Sequence, residues 1–419
     1  MSTNTANNPS RRSFLGNCAT VATLPILASV PVNAFAAGAD DTLKVGVIGT
    51  GGRGIGAAKN ILSAGKDVKI WSVGDIFPDV TEKARKTFNV PKERSFSGFD
   101  AYKDVINSGV DIVILTAPPG FRPLHLEAAI EKGLHVFAEK PVAVDPAGVR
   151  KVIAVGELAA QKKLSIVAGT QRRHERSYIE TMRRVKDGAI GDIVAAQCYW
   201  VGGELWHRGR NPEWTDMEYQ IRNWLYFTWL SGDHIVEQHV HNIDIINWAL
   251  GGPPIKAFGM GGRQRRTDAK YGDAWDHFSV EFEYANGVRV QSFCRQANNT
   301  NHRVNENLVG TLGTALPSGR IRIKGKDEWR FGGRGRNAYE QEHVDLLNAI
   351  RSGKPLNEAR AVAESTMTAI LGRVSAYTGK EVNYKWLSDA SKLDLTPPEY
   401  AFGKAPKVEV PIPGSTPLI

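Results

Sequence analysis

Lys140 stands in Glu139-Lys140-Pro141, directly after the short apolar run His135–Ala138. His241 follows Glu237 by four residues in Glu237-Gln238-His239-Val240-His241. Gly49-Thr50-Gly51-Gly52-Arg53-Gly54 follows another apolar run, Leu43–Ile48. Each group suits a chemistry. An ammonium beside a reacting oxygen stabilises developing negative charge in a water-poor site. It also relays a proton if burial or neighbouring charge lowers its pKa. An imidazole with an acid at i, i+4 on a helix suits a positioned proton acceptor. Glycines at this spacing let backbone approach a phosphate, and the helix they open offers free N–H groups.

The glycine loop has the context that a dinucleotide site requires, a strand pattern before it and a helix pattern after it. Gly49 allows the tight turn, Gly51 the close approach to a pyrophosphate, and Gly54 the packing of helix on strand. Gly52 and Arg53 belong to the same loop. Asp75 ends the next run, Val68–Asp75, 21 residues beyond Gly54. A carboxylate there accepts from ribose hydroxyls and repels a 2′-phosphate, which favours NAD over NADP. Arg53 is a nearby cation that could accommodate the extra phosphate. Asp75 also suits a helix cap or a solvated loop acid.

In the other half, Ser231-Gly232-Asp233 starts a predicted helix over His234–Leu250, and Gly251-Gly252-Pro253 ends it. Val236, Val240, Ile243 and Leu250 form its buried stripe. Glu237, His241 and Asp244 share another face at i, i+4 and i+7, where Asp244 suits a structural partner equally well. No metal site is expected, since His239 and His241 point roughly 160° apart on a helix. Six of the ten Trp fall between Trp200 and Trp248, among His207, Arg208, Arg222, Asn223 and Tyr226. Flat amphipathic rings with polar neighbours suit a pocket for a sugar or polyol.

These residues need elements to hold them. Alternation of strand and helix patterns up to about Thr170 argues for a parallel sheet covered on both faces. Beyond it, longer runs at Ile193–Trp200, Phe278–Tyr284 and Val288–Phe293 suggest a largely antiparallel sheet with an open face. Residues Ala338–Thr378 read as helix, interrupted near Gly353-Lys354-Pro355. The expected fold class is therefore α/β: an N-terminal Rossmann domain over 43–169 and an α+β domain over 170–382. Residues 383–419, with six Pro, read as an extended tail or arm against a neighbouring subunit.

The Gly loop, the Thr116-Ala117-Pro118 turn with His125 downstream, and Glu139-Lys140-Pro141 resemble the Gfo/Idh/MocA oxidoreductases, from about Leu43 to Val382. That resemblance implies a Rossmann domain, a sheet domain whose open face makes homo-oligomers (dimer or tetramer), and oxidation of a secondary alcohol with NAD. It places Lys140 beside the nicotinamide and the reacting carbon. It puts His241 in the position of the catalytic base and Glu237 in the acid position. Thr116, Pro118, His125, Glu139 and Gln171 join the cofactor-binding set. The acid is more often Asp in the family, and His239 replaces a common Gly, so the family's usual substrates are in doubt here.

Arg11-Arg12-Ser13-Phe14-Leu15, an apolar stretch Cys18–Val32 and Ala34-Phe35-Ala36 read as a twin-arginine leader over 1–36, cut after Ala36. The expected location is the periplasm, reached folded through the Tat machinery with the cofactor already loaded. Removing 36 of 419 residues leaves 383, and the charge falls from +9 to +7 because the leader holds two Arg and no acid. Basic residues are scattered among acids, so no nucleic-acid partner is expected. No later run approaches ~18 apolar residues, so no membrane insertion of the mature chain is expected. The two remaining cysteines, Cys198 and Cys294, read as buried thiols rather than a bridge. The leading expectation is an exported oxidoreductase acting on a sugar or polyol with tightly held NAD. Redox-neutral cleavage of a glycoside through a transient keto-sugar, as glycosidase or lyase, keeps the same residues. A non-catalytic sugar or nucleotide sensor is the third reading.

Overall fold

The computed structural model describes residues 42–419, and the leader with its expected cut lies outside the described residues. Six short strands come first: β1 (Leu43–Ile48), β2 (Val68–Asp75), β3 (Ser95–Ser97), β4 (Ile112–Leu115), β5 (His135–Ala138) and β6 (Ile166–Ala168). They form one sheet in the order β3-β2-β1-β4-β5-β6, every pair parallel. β4 is buried at all positions, which its Ile-Val-Ile-Leu run requires of a strand covered on both faces. Helices α1 (Gly52–Ala64), α2 (Pro78–Phe88), α3 (Ala101–Asn107), α4 (Arg122–Lys132) and α5 (Pro146–Gln161) provide that cover. The chain leaves β1 toward one edge and β4 toward the other, so a crevice opens at their carboxyl ends. β3 adds an edge strand that the sequence pattern does not mark, because Ser-Phe-Ser carries one apolar residue.

The second sheet has nine strands: β7 (Ile193–Gly202), β8 (Lys256–Gly262), β9 (His277–Glu283), β10 (Arg289–Gln296), β11 (Arg303–Gly310), β12 (Gly313–Leu316), β13 (Arg320–Ile323), β14 (Trp329–Arg330) and β15 (Val382–Asn383). Their order is β14-β13-β12-β11-β7-β10-β9-β8-β15. All pairs are antiparallel except β7 with β10. Burial alternates strictly along β9, as a sheet with one covered face demands. The uncovered face shows Phe258 and Met260, 48% and 60% exposed. Cys198 on β7 and Cys294 on β10 are both buried and unbridged, as expected.

Helices α6 (Arg176–Lys186), α7 (Asp216–Arg222), α8 (Thr228–Ser231), α9 (His234–Glu237) and α10 (Val240–Leu250) precede or cover this sheet. The interruption expected near Gly353 falls between α11 (Ala338–Arg351) and α12 (Ala359–Thr378). α11 returns to the first domain and shares one apolar core with Ile61, Ile114 and Phe137. α12 is buried on nearly every side.

Two expectations need correction. The helix foreseen over His234–Leu250 is two helices, α9 and α10, broken at Gln238-His239. The tail is not wholly extended, because α13 (Tyr384–Asp389) opens it. The rest lies against its own chain: Leu395 donates its N–H to Asp145, and Gly414 donates to the carbonyl of Thr378.

Candidate active site

The carboxyl ends of β1, β2 and β4 line a cleft of about 470 Å³. Gly49 has φ 85°, and a Cβ on it would lie 2.2 Å from the backbone nitrogen of Ala117. A Cβ on Gly54 would lie 2.1 Å from the carbonyl oxygen of Gly49. Both positions therefore exclude any side chain. Gly51 and Gly52 meet nothing within 4 Å on that side, so the loop presents bare backbone to open space. Gly51 caps α1 without a side-chain bond, which leaves the first-turn N–H groups available to an anion. A dinucleotide pyrophosphate fits this cradle. Thr116 holds the turn closed through its hydroxyl, which donates to the Gly49 carbonyl at 2.6 Å.

Asp75, Pro118 and His125 also line the cleft. Asp75 already accepts from the Thr50 N–H at 2.7 Å and from the Phe77 N–H at 3.1 Å. Burial raises its pKa, and those N–H groups oppose the rise. The carboxylate thus anchors the glycine loop itself, a role the sequence reading did not assign. His125 is buried and stacked on Tyr102 at 4.5 Å. Burial, with the charge of Arg122 second, lowers its pKa to about 3, and its Nδ1 has no partner.

Arg53 turns to acids of its own chain. It pairs with Glu139 and, at 3.2 Å, with Glu342 of α11. Its guanidinium is therefore engaged by two acidic side chains of its own chain. Burial, and then the charge of Glu139, pushes the Glu342 carboxyl well above its ordinary range. Gln171 does not line the cleft; its amide donates to the Tyr339 hydroxyl at 3.2 Å.

Lys140 and Glu237 come together from different domains. The ammonium donates to the backbone carbonyl of Glu237 at 2.6 Å and to its carboxylate at 3.1 Å. This contact accounts for the helix break. In a continuous helix the Glu237 carbonyl would accept from the N–H of His241, but that N–H goes to Gln238 instead. The freed carbonyl becomes a ligand for Lys140. Lys140 leads into a cis peptide bond with Pro141.

His241 is buried and stacks on Trp200, ring centroids 5.7 Å apart. Burial, then the charges of Lys140, Arg172 and Arg53, holds its imidazole well below the ordinary pKa. It is a neutral base beside a cation. Asp244 takes the structural role: it binds Arg173 through two 2.8 Å bonds and accepts from Ser365. Lys140, Glu237 and His241 form a group of their own and are not among the residues lining the 470 Å³ cleft.

Two features escaped the sequence reading. Arg172, paired with the buried Glu306 at 2.5 Å, sits over the Trp200 ring and contributes to the field at His241. No local pattern joins residues so far apart in the chain. The aromatic segment also divides between two places. Trp206, Arg208, Arg222 and Trp224 line the cleft with the glycine loop, whereas Trp200 stacks on His241. Their composition suits either setting, and only the fold decides between them.

A parallel sheet in this order, a glycine cradle at its crevice and a lysine–acid–histidine group beside it define a dinucleotide-dependent oxidoreductase. The profile described as the oxidoreductase family with NAD-binding Rossmann fold, Gfo/Idh/MocA, matches residues 43–169. That of the Gfo/Idh/MocA C-terminal domain matches 178–316. The chain belongs to this family and uses NAD. Inositol 2-dehydrogenase 3 of Saccharopolyspora erythraea is 27% identical over 323 residues, 74% of this chain and 86% of that protein. Inositol 2-dehydrogenase of Acidiphilium cryptum is 26% identical over 326 residues, 74% and 87% of the two chains. The crystal structure of scyllo-inositol dehydrogenase from Lactobacillus casei with bound NAD(H) and scyllo-inositol shares the fold. Its TM-score is 0.64 at 19% identity, covering 82% of this chain and all of that one.

Proposed function

We propose that this protein oxidises a secondary alcohol of a neutral sugar or polyol with NAD that it holds tightly, after export from the cytoplasm. The observation that carries this reading is the joining of Lys140 and Glu237 across the two domains, with the neutral, buried His241 in the field of that lysine. Bound NAD supplies the hydride acceptor. The chain supplies the rest. His241 takes the hydroxyl proton at an imidazole nitrogen, and the Lys140 ammonium faces the oxygen as negative charge develops. Glu237 holds that ammonium at two points.

The charges around this group favour a substrate without formal charge. Lys140 is paired with Glu237, Arg172 with Glu306, Arg173 with Asp244, and Arg53 with Glu139 and Glu342. Each cation already has its carboxylate, so a substrate carboxylate or phosphate would have to displace one. Relatives named inositol 2-dehydrogenase fit the same substrate class. Arg11-Arg12 and the small residues near Ala36 support Tat export to the periplasm. The exposed Phe258 and Met260 on the open sheet face support a homo-oligomer.

The test is to purify the protein without added cofactor and supply neutral sugars and polyols. One equivalent of NADH appearing, with turnover only when a carbonyl acceptor is added, is the expected result. Bond cleavage without net NADH would replace oxidation with redox-neutral cleavage through a transient ketone. No NADH and no cleavage with any neutral sugar or polyol would end the reading.

A further inference from the structure

The cleft that cradles the dinucleotide has a second wall. Its first wall is the Rossmann domain, with the glycine loop on one side and Asp75, Phe77 and Phe99 beyond the ends of β2 and β3. In such a fold the pyrophosphate lies at the start of α1 and the adenosine ribose beside the acid that ends β2. The adenosine end is thus the Phe77–Phe99 side. Facing it are Trp206, Arg208, Arg222 and Trp224, which come from the second domain.

That wall is fastened to the first domain. The Arg222 guanidinium lies 3.8 Å from the centre of the Phe77 ring. It pairs with Asp79 of α2 at 3.1 Å and with Glu218 of its own helix at 2.9 Å. The tail reinforces the join. Phe402 packs edge-on against Phe99 at 5.0 Å and contacts Phe77 at 6.3 Å. The adjoining tail carbonyls of Gly403 and Pro406 accept from the Met217 N–H and the Gln220 amide of α7. The backbone of Trp229 also lies so close to Gly120 that a Cβ there would come within 2.3 Å of its oxygen. One aromatic segment and one tail segment therefore close the same end of the cleft.

We propose that residues 206–224, secured by Arg222 and by Phe402, are part of the NAD site and bind its adenosine half, so that release requires this join to open. The inference rests on the glycine cleft being the NAD site and on the reading that the cofactor is tightly held. It adds which residues retain it. The Trp206 and Trp224 rings offer faces for the adenine. Arg208 offers a positive charge to a dianionic ligand and has no carboxylate within ion-pair distance among the described residues.

The test loads the full-length protein with NADH and chases it with excess NAD, following the loss of bound-NADH fluorescence. Wild type should release slowly, and Arg222→Ala, Phe402→Ala and Trp206→Ala should each release at least ~10-fold faster. Trp206 is 46% exposed, so its variant removes a wall residue without emptying a core. Reduced nicotinamide mononucleotide, which lacks the adenosine half, should leave wild type and variants at equal rates. Equal NADH release from all four proteins would overturn the proposal while leaving NAD binding intact. Faster release of the mononucleotide from the variants would overturn it too, since the effect would then not be local to adenosine. A wild type that binds no NADH would remove the cofactor reading beneath it.

Discussion

At the residue scale, the functional weight falls on one base and one cation. His241→Ala should lower kcat/KM by ~10²–10⁴-fold, the range for a positioned general base. Lys140→Met should cost ~10²–10³-fold, the range for one donor at a developing oxyanion. Both variants should retain co-purified NAD, because the glycine loop and Asp75 that would hold its pyrophosphate and ribose are untouched. Full activity in both, measured with the best neutral substrate, would remove this group from the chemistry. The pH profile is a separate check. Burial and three nearby cations hold His241 well below its ordinary pKa, so it stays neutral in mildly acidic solution. The acid limb of kcat/KM should therefore lie well below pH ~6.5, the value for an unperturbed histidine. A limb at that ordinary value would show that the base titrates in a wet, uncharged setting unlike this one. These residues were legible because each sits in a compact local pattern: a triplet after a strand, or an acid four residues before a histidine. Asp75 was legible only as a carboxylate at the right place. Its bond to the Thr50 N–H depends on how the glycine loop folds back, and no spacing encodes that.

At the element scale, the short helix α9 is the part most dependent on distant contacts. Its cap, Asp233, has φ 67°, outside the usual range for a residue with a Cβ. The surroundings hold it there. Its carboxylate accepts from the Trp275 N–H at 2.8 Å, the Tyr377 hydroxyl at 2.6 Å and the His234 N–H at 2.6 Å. Asp233→Ala leaves these buried donors unpaired. The expected loss is about 3–5 kcal/mol of unfolding free energy, as for breaking a buried charged network. Asp233→Asn, which keeps the shape of the side chain and one acceptor oxygen for these donors, should lose less than half as much. Urea unfolding of the two variants decides it, and equal losses would mean that the acceptor retained by Asn carries no weight. The sequence marked Ser231-Gly232-Asp233 as a helix start, and it is one. The break four residues later was not legible, because it needs Lys140 to arrive from the other domain.

At the scale of the whole molecule, segments far apart in the chain meet through buried charge as well as apolar packing. Strands β1, β2, β4, β5, β7, β9 and β10 were legible from their apolar runs, whereas β8, β11 and this charged cluster were not. His174, in the short turn Gln171–His174 after β6, lies between Asp345 of α11 at 2.7 Å and Glu358, just before α12, at 3.3 Å. These residues are 171 and 184 positions away in sequence, beyond the reach of any periodicity. Burial opposes the charged ring, but the two carboxylates prevail and raise its pKa to about 10. An unfolded histidine titrates near ~6.5. Between those values the folded protein holds a proton that the unfolded chain has lost, so stability must fall as pH rises. The contribution of His174 is complete below pH ~6.5 and disappears as pH climbs through about 10. Its size should be on the order of 2 kcal/mol, less than the full shift would give, because the pair also bears a desolvation cost. The measurement is the urea midpoint of wild type and His174→Gln at pH 6.5 and pH 9.5. Wild type should lose clearly more stability than the variant over that interval, since glutamine has no proton to give up. Parallel losses would assign the alkaline sensitivity to other groups and leave His174 as a neutral packing residue.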